Sequence, residues 1–240
     1  MAYQFMNSAF TRLHPQWVPL VAHALGTMNL AYLQELAVSE AWLPGLPNLF
    51  AALSESLETR RYLLLGESPY PRKASANGYA FWDNAVTTIW SETGLSKPVN
   101  RATSLRHLIK MLLHARGDLR DDCSQSAIAR LDTSRLVQTL PELFQNLLQQ
   151  GFLLLNASLV YEPKRVLYHA KHWRPFINSL LQQLSQVLPC LQLVLLGRVA
   201  QKIPNRGLFQ CLEAEHPYQL TFIHNADVLA FFKPLEVLKK

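Results

Sequence analysis

Four short apolar runs, each ending abruptly in polar residues, organise the hydrophobic pattern of this chain. Tyr62 to Leu65 leads into Gly66-Glu67-Ser68-Pro69-Tyr70-Pro71. Phe152 to Leu155 ends in Asn156, Leu191 to Leu196 in Gly197-Arg198, and Leu208 to Ala214 in Glu215-His216-Pro217. Runs this short, bounded by turn residues, read as buried strands rather than helices. Between them the apolar positions recur at helical spacing. Residues from about Trp17 to Ser56 read as a helical layer broken by a loop at Leu43 to Pro47. Ser104 to Arg116 reads as an amphipathic helix with Ser104 at its cap. A charged turn is expected at Asp118 to Asp122. Further helices are expected at Ser126 to Gln138, Leu140 to Gln150 and Arg174 to Gln186.

Strands alternating with helical patterns imply crossover connections and a parallel sheet covered on both faces. The expected fold is therefore α/β: a three-layer α/β/α arrangement with a central parallel four-stranded sheet, in one domain over residues 1–240. In open α/β sheets, ligands bind beyond the carboxyl ends of the strands. Glu67, Ser68, Tyr70, Asn156, Gly197, Arg198 and His216 all follow such ends. Small-molecule sites are built from a few convergent polar groups of this kind.

Composition narrows the class. With 240 residues, 49% hydrophobic and 17% charged, the chain is expected to be globular. No apolar run approaches the ~20 residues that a membrane span needs. The start MAYQFMNSAF lacks the basic-then-apolar plan of a signal peptide, so a cytoplasmic protein is expected. A net charge of +6 permits an anionic partner such as a phosphate backbone, although no dense Lys/Arg block is present. Cys123, Cys190 and Cys211 are odd in number and far apart, which fits neither a disulfide framework nor a structural zinc site. They read as small buried or incidental thiols.

In order, the segments GESPYP, GYAF, LLLNASL, LLGRVAQK and EHPYQL carry a resemblance. They are similar to the uracil-DNA glycosylase superfamily, and within it to the family 1 branch, which reads GQDPYH, GLAF, LLLNxxL, GSHAQK and HPSPLS at comparable spacings. Leu46 to Phe50 (LPNLF) and His172 to Phe176 (HWRPF) resemble flanking family segments. The resemblance covers the chain from about Gln16 onward. Glycosylase families 4 and 5 hold an iron–sulfur cluster on four cysteines, which three cysteines cannot do.

The resemblance implies hydrolysis of the N-glycosidic bond of uracil, or a related deaminated base, in DNA. It implies a monomer with no metal or cofactor. A base extruded from the duplex enters a snug pocket, and family roles map onto it residue by residue. Phe81 is the stacking plane and Asn156 the reader of the base edge, since an amide offers both donor and acceptor. By residue chemistry alone, Asn156 would equally suit the backbone at a strand end. Tyr70 crowds the C5 position. His216, whose backbone is restricted by Pro217, supports negative charge on the departing base. Leu220 is the apolar wedge that fills the hole in the stack. Ser104 matches a phosphate-contacting serine, with Ala102-Thr103 replacing two prolines. Gly197 matches a phosphate-binding Gly-Ser loop in which Arg198 replaces the serine.

The departures gather in the first motif. Ser68 stands where the family has its water-activating aspartate, Glu67 where it has glutamine, and Pro71 where it has histidine. A serine carries no charge at neutral pH and is a poor base. Glu67 is then the adjacent carboxylate, as in the family 4 pattern GEAPG. The alternative is a catalytically weak or inactive homologue that binds DNA or extruded bases.

Overall fold

The structure, a computed structural model, describes residues 9–198, 203 and 205–240. Eight of the ten residues read for a signal peptide, and residues 199–202 of the LLGRVAQK segment, lie outside it.

All four predicted strands form. They are β1 (Tyr62–Gly66), β4 (Phe152–Asn156), β5 (Gln192–Leu196) and β6 (Gln210–Ala214), in the order β4-β1-β5-β6. The sheet is parallel and flanked by helices, a three-layer α/β fold. In β1 and β4 the register runs from Tyr62↔Phe152 to Gly66↔Asn156. Every residue of β4 is buried, as is β1 from Leu63 onward. That explains why their sequences are continuous apolar runs and not alternations: both faces are covered. β6 begins two residues later than expected, because Arg206–Leu208 forms a 3-10 turn.

The chain divides into two compact units. The first holds residues 9–83, 151–194, 203 and 205–211; the second holds 84–150, 195–198 and 212–240. In the first unit, α1 (Val18–Gly26) packs on α7 (Val166–Val187), and Trp17, Phe50, Trp173 and Phe176 fill the core between helices. The remaining helix of the N-terminal layer is α2 (Leu30–Val38), capped by the Asn29 side chain, which accepts from the Tyr32 N–H at 3.1 Å. Helix α7 starts eight residues before the expected Arg174 and runs through Pro175. A proline inside a helix removes one hydrogen bond. Here buried residues on both sides, His169 and Trp173 before it and Phe176, Ile177 and Leu180 after it, hold one continuous face against the core.

In the second unit, α4 (Thr103–Arg116) buries its apolar face against the 3-10 turn Leu220–His224 and against α8 (Ala226–Phe232). Ser104 is not its cap. The helix follows directly on α3 (Lys97–Arg101), and Ala102 at the junction makes no side-chain cap, so Ser104 lies inside the first turn. The helix expected over Ser126 to Gln138 is only α5 (Gln125–Ala129). Asp132 turns the chain by accepting from the Ser134 N–H at 2.9 Å, and the Val137 N–H is drawn off to Leu238 O at 2.9 Å. Local side-chain bonds and a distant strand partner outcompete the helix there. Helix α6 (Leu140–Gln149) forms as expected, and Thr139 and Glu142 cap it reciprocally. A two-stranded hairpin, β2 (Trp90–Ser91) with β3 (Gly94–Leu95), was not expected. Two residues per strand are too few to show an alternation.

Candidate active site

In the first unit the site residues sit on the carboxyl ends of β1 and β4 and on the loop that follows β1. The two ends are tied together: Gly66 O accepts from the Ala157 N–H at 2.8 Å, and Glu67 O accepts from the Ser158 N–H at 3.0 Å. Asn156 is 3% exposed. A Cβ on Gly66 would come 2.5 Å from Asn156 Oδ1 and 2.9 Å from Ala80 Cβ. Glycine is therefore required there by close approach, and the absence of a side chain makes the room that the amide occupies.

The loop from Glu67 to Phe81 is cross-linked to itself. The Tyr70 hydroxyl donates to Phe81 O at 3.1 Å, and Arg72 O accepts the N–H groups of Ser75 and Ala76 at 3.0 Å each. The Ala80 N–H donates to Leu154 O at 3.0 Å, which fastens the segment to β4. Phe81 has φ of 63°, the left-handed region that a bulky residue rarely adopts. Burial, with the Asp83 carboxylate adding to it and Arg72 opposing, raises the Tyr70 phenol well above its ordinary range. Tyr70 is thus held protonated as the donor. Ser68 is half-buried and the Glu67 side chain is exposed.

In the second unit, Gly197 and His216 come together. The Gly197 N–H donates to Ala214 O at 2.8 Å, and a Cβ at Gly197 would meet His216 Cβ at 2.7 Å. The His216 ring accepts the Tyr218 N–H at Nδ1, 3.1 Å away. In the neutral ring this puts the hydrogen on Nε2, so Nε2 is the donor atom. Gln219 donates its N–H to His216 O at 2.8 Å, which makes residues 216–219 a tight turn. Leu220, at the end of that turn, is 67% exposed. Arg198 is exposed, and Ser104 is half-buried on the first turn of α4.

The chain is similar to known proteins along nearly its whole length. No family model matches it. The UNG crystal structure from Nitratifractor salsuginis superposes with a TM-score of 0.92 at 39% identity, covering 99% of this chain and 96% of that one. The curated relatives include uracil-DNA glycosylase 1 of Streptomyces coelicolor, 24% identical over 199 residues (82% of this chain, 76% of the relative). They also include the uracil-DNA glycosylase of Pseudomonas syringae pv. tomato, 25% identical over 228 residues (92% and 84%). The chain belongs to the uracil-DNA glycosylase superfamily. The mimivirus uracil-DNA glycosylase shares the fold at 15% identity and a TM-score of 0.59, over 87% of this chain and 71% of that one.

Within this chain, Ser68, Tyr70, Phe81 and Asn156 lie on one unit's strand ends and loop, while in the other unit Gly197, at the end of β5, packs against His216, and Leu220 follows the His216 turn. Two residues of the site region escaped the sequence reading. Asp83 is a carboxylate with only 2% exposure, paired with Arg72 Nη2 at 3.0 Å. His107, 5% exposed on α4, donates from Nδ1 to Pro217 O at 2.8 Å and so braces the His216 turn from beneath. Its Nε2 faces Arg106 Nη2 at 3.4 Å. Burial lowers the His107 pKa and keeps the ring neutral. The helical spacing of His107 with buried neighbours was the available signal. For Asp83 there was none, because a polar residue in a loop is expected to be exposed. Among the described residues, no group of three or more His, Cys, Asp or Glu is placed to hold a metal ion. Among the described residues, no helix is long and apolar enough to cross a membrane.

Proposed function

We propose that this protein is a DNA glycosylase that hydrolyses the N-glycosidic bond of uracil, or a related deaminated base, in DNA. The observation that carries the reading is Asn156: a buried amide at the carboxyl end of its strand, held close against Gly66. Leaving such a group unpaired costs about 1–3 kcal/mol, which a complementary base edge recovers. Uracil presents O4 as acceptor and N3–H as donor, matching the amide's two halves. Phe81 supplies the stacking plane and Tyr70 the wall at C5. His216 donates from Nε2 to O2 as negative charge builds on the leaving base, a preorganised dipole of the oxyanion-hole type. Leu220 enters the base stack, and Ser104, Gly197 and Arg198 contact phosphates.

Ser68 stands where the family has its aspartate, so the attack of water rests on the remaining groups: Glu67 as the carboxylate, Ser68 as an orienting hydroxyl, and His216 on the leaving group. The protein acts as a monomer, and its bond cleavage needs water alone as co-reactant.

The test is base release from oligonucleotides containing uracil, hypoxanthine, xanthine or a thymine mismatch, with wild type and Asn156→Ala side by side. Wild type is expected to release uracil, and Asn156→Ala to lose about tenfold to a hundredfold in kcat/KM, the equivalent of the lost edge contact. Release of no base, with uracil-containing DNA bound no better than normal DNA, would falsify the proposal.

A further inference from the structure

Asp83 lies outside the five segments that carry the family resemblance, yet it is one of the few buried charged or polar side chains among the described residues. It sits two residues beyond Phe81, and its partner Arg72 sits two residues beyond Tyr70. The Arg72–Asp83 contact at 3.0 Å therefore spans the same gap as the Tyr70 hydroxyl to Phe81 carbonyl bond at 3.1 Å. Two parallel cross-links, one ionic and one neutral, close the loop between β1 and Phe81. The first has unequal ends, with Arg72 68% exposed and Asp83 2%.

Phe81 explains why two ties are needed. A non-glycine residue in the left-handed region persists only where its surroundings over-determine it. The Ala80 N–H bond to Leu154 O holds one side of Phe81, and the carbonyl of Phe81 itself is held by Tyr70. Asp83 lies just past that carbonyl and anchors the other side. Burial and the Asp83 charge together also keep the Tyr70 phenol in its donating form, which couples the two ties.

We propose that Arg72 and Asp83 are positioning residues: their ion pair fixes Phe81 and Tyr70 at the spacing that admits uracil and refuses a C5 methyl group. The proposal rests on the glycosylase reading for its substrate and on this loop's geometry for its mechanism. The pair touches no base; it acts through the two side chains that do.

The experiment uses the full chain with Arg72→Ala, Asp83→Asn, Asp83→Glu and Tyr70→Phe, alone and combined. Amide hydrogen exchange of residues 68–83 is read beside uracil and thymine release. Arg72→Ala removes an exposed side chain, so it keeps the test open should a buried variant fail to fold. The expected result has three parts. Exchange over 68–83 speeds up about tenfold relative to the rest of the protein. Uracil kcat/KM falls about tenfold while thymine release rises. Tyr70→Phe adds less on the Asp83→Asn background than on wild type, because the two ties serve one loop. Asp83→Glu restores part of the loss. Unchanged exchange in both Arg72→Ala and Asp83→Asn overturns the proposal whatever the activity does. Faster exchange with an unaltered uracil-to-thymine ratio overturns it too, by making the pair structural only. A wild type that releases no base sinks the glycosylase reading, and the exchange arm then decides whether the pair fixes the loop.

Discussion

Gly66 and Asn156 are register partners at the carboxyl ends of two adjacent parallel strands, and a methyl group on the first would lie 2.5 Å from Oδ1 of the second. The glycine therefore reserves the space in which the amide is held. Gly66→Ala is expected to displace Asn156 rather than leave it in place. Overpacking of this kind costs about 1–3 kcal/mol in a buried setting. The sharper effect is expected on kcat/KM for uracil, which should fall to the level of Asn156→Ala. Steady-state kinetics of the single and double variants check this: once Asn156 is gone, Gly66→Ala should cost no further activity.

Under the proposed function, Ser68 and Glu67 stand in for the aspartate missing from the loop that directly follows β1. Ser68→Asp is expected to raise the rate of uracil release by about tenfold to a hundredfold if a charge near the sugar is the missing element. Where Glu67 already serves, Glu67→Gln abolishes release and Ser68→Asp gains little, because two adjacent carboxylates resist joint ionisation. Single-turnover rates of the two variants separate the cases. A pair of variants that both match wild type would remove this loop from catalysis.

His107 links stability to pH. Its pKa is lowered in the folded protein, by burial first and by Arg106, against the opposing pull of the Pro217 carbonyl. The buried His169 is lowered as well, again by burial first, although Glu162 opposes the shift. A histidine whose pKa is lowered on folding contributes stability above its unfolded value of about 6.5, and that stability is lost as pH falls below it. Tm is therefore expected to drop between pH 7 and pH 5. His107→Asn, which keeps a side-chain donor near Pro217 O but does not titrate, should make the decline shallower. Thermal unfolding across that range is the measurement. A wild-type Tm that holds or rises on acidification contradicts the argument.

Arg198 is exposed on the residue after Gly197, at the end of β5. If it grips a phosphate, Arg198→Ala should reduce the slope of log affinity against log salt by about one contact, without changing the preference among bases. Titrating labelled duplex at several salt concentrations gives the slope directly. An identical slope would place Arg198 outside the DNA contact.

The strands were legible because double-sided burial writes itself as uninterrupted Leu and Phe, and the polar residues that end them mark the carboxyl edge. Ser68, Tyr70 and Asn156 were picked out by their place beyond strand ends and by motif, Phe81 by motif alone: nothing in an isolated Phe announces a left-handed backbone. The start of α7 was read eight residues late, because its first two turns are held by buried contacts of His169 and Trp173 that continue through Pro175. The end of α5 was hidden for the opposite reason, an Asp132 turn and a pairing of Val137 with Leu238, more than a hundred residues away. Asp83 was the largest omission. Its burial comes from how the loop closes on itself, and no local pattern encodes that.

The backbone at Phe81 sets two demands against each other. A side chain chosen for folding alone at φ of 63° would be glycine or asparagine, which accept that conformation with less strain. Under the proposed function, the side chain there stacks on a base and must be a flat ring. The chain keeps the ring and carries the strain, so improvement by stability selection would erode this position first. Homologues optimised for heat would then have to strengthen the loop around the phenylalanine, not replace it.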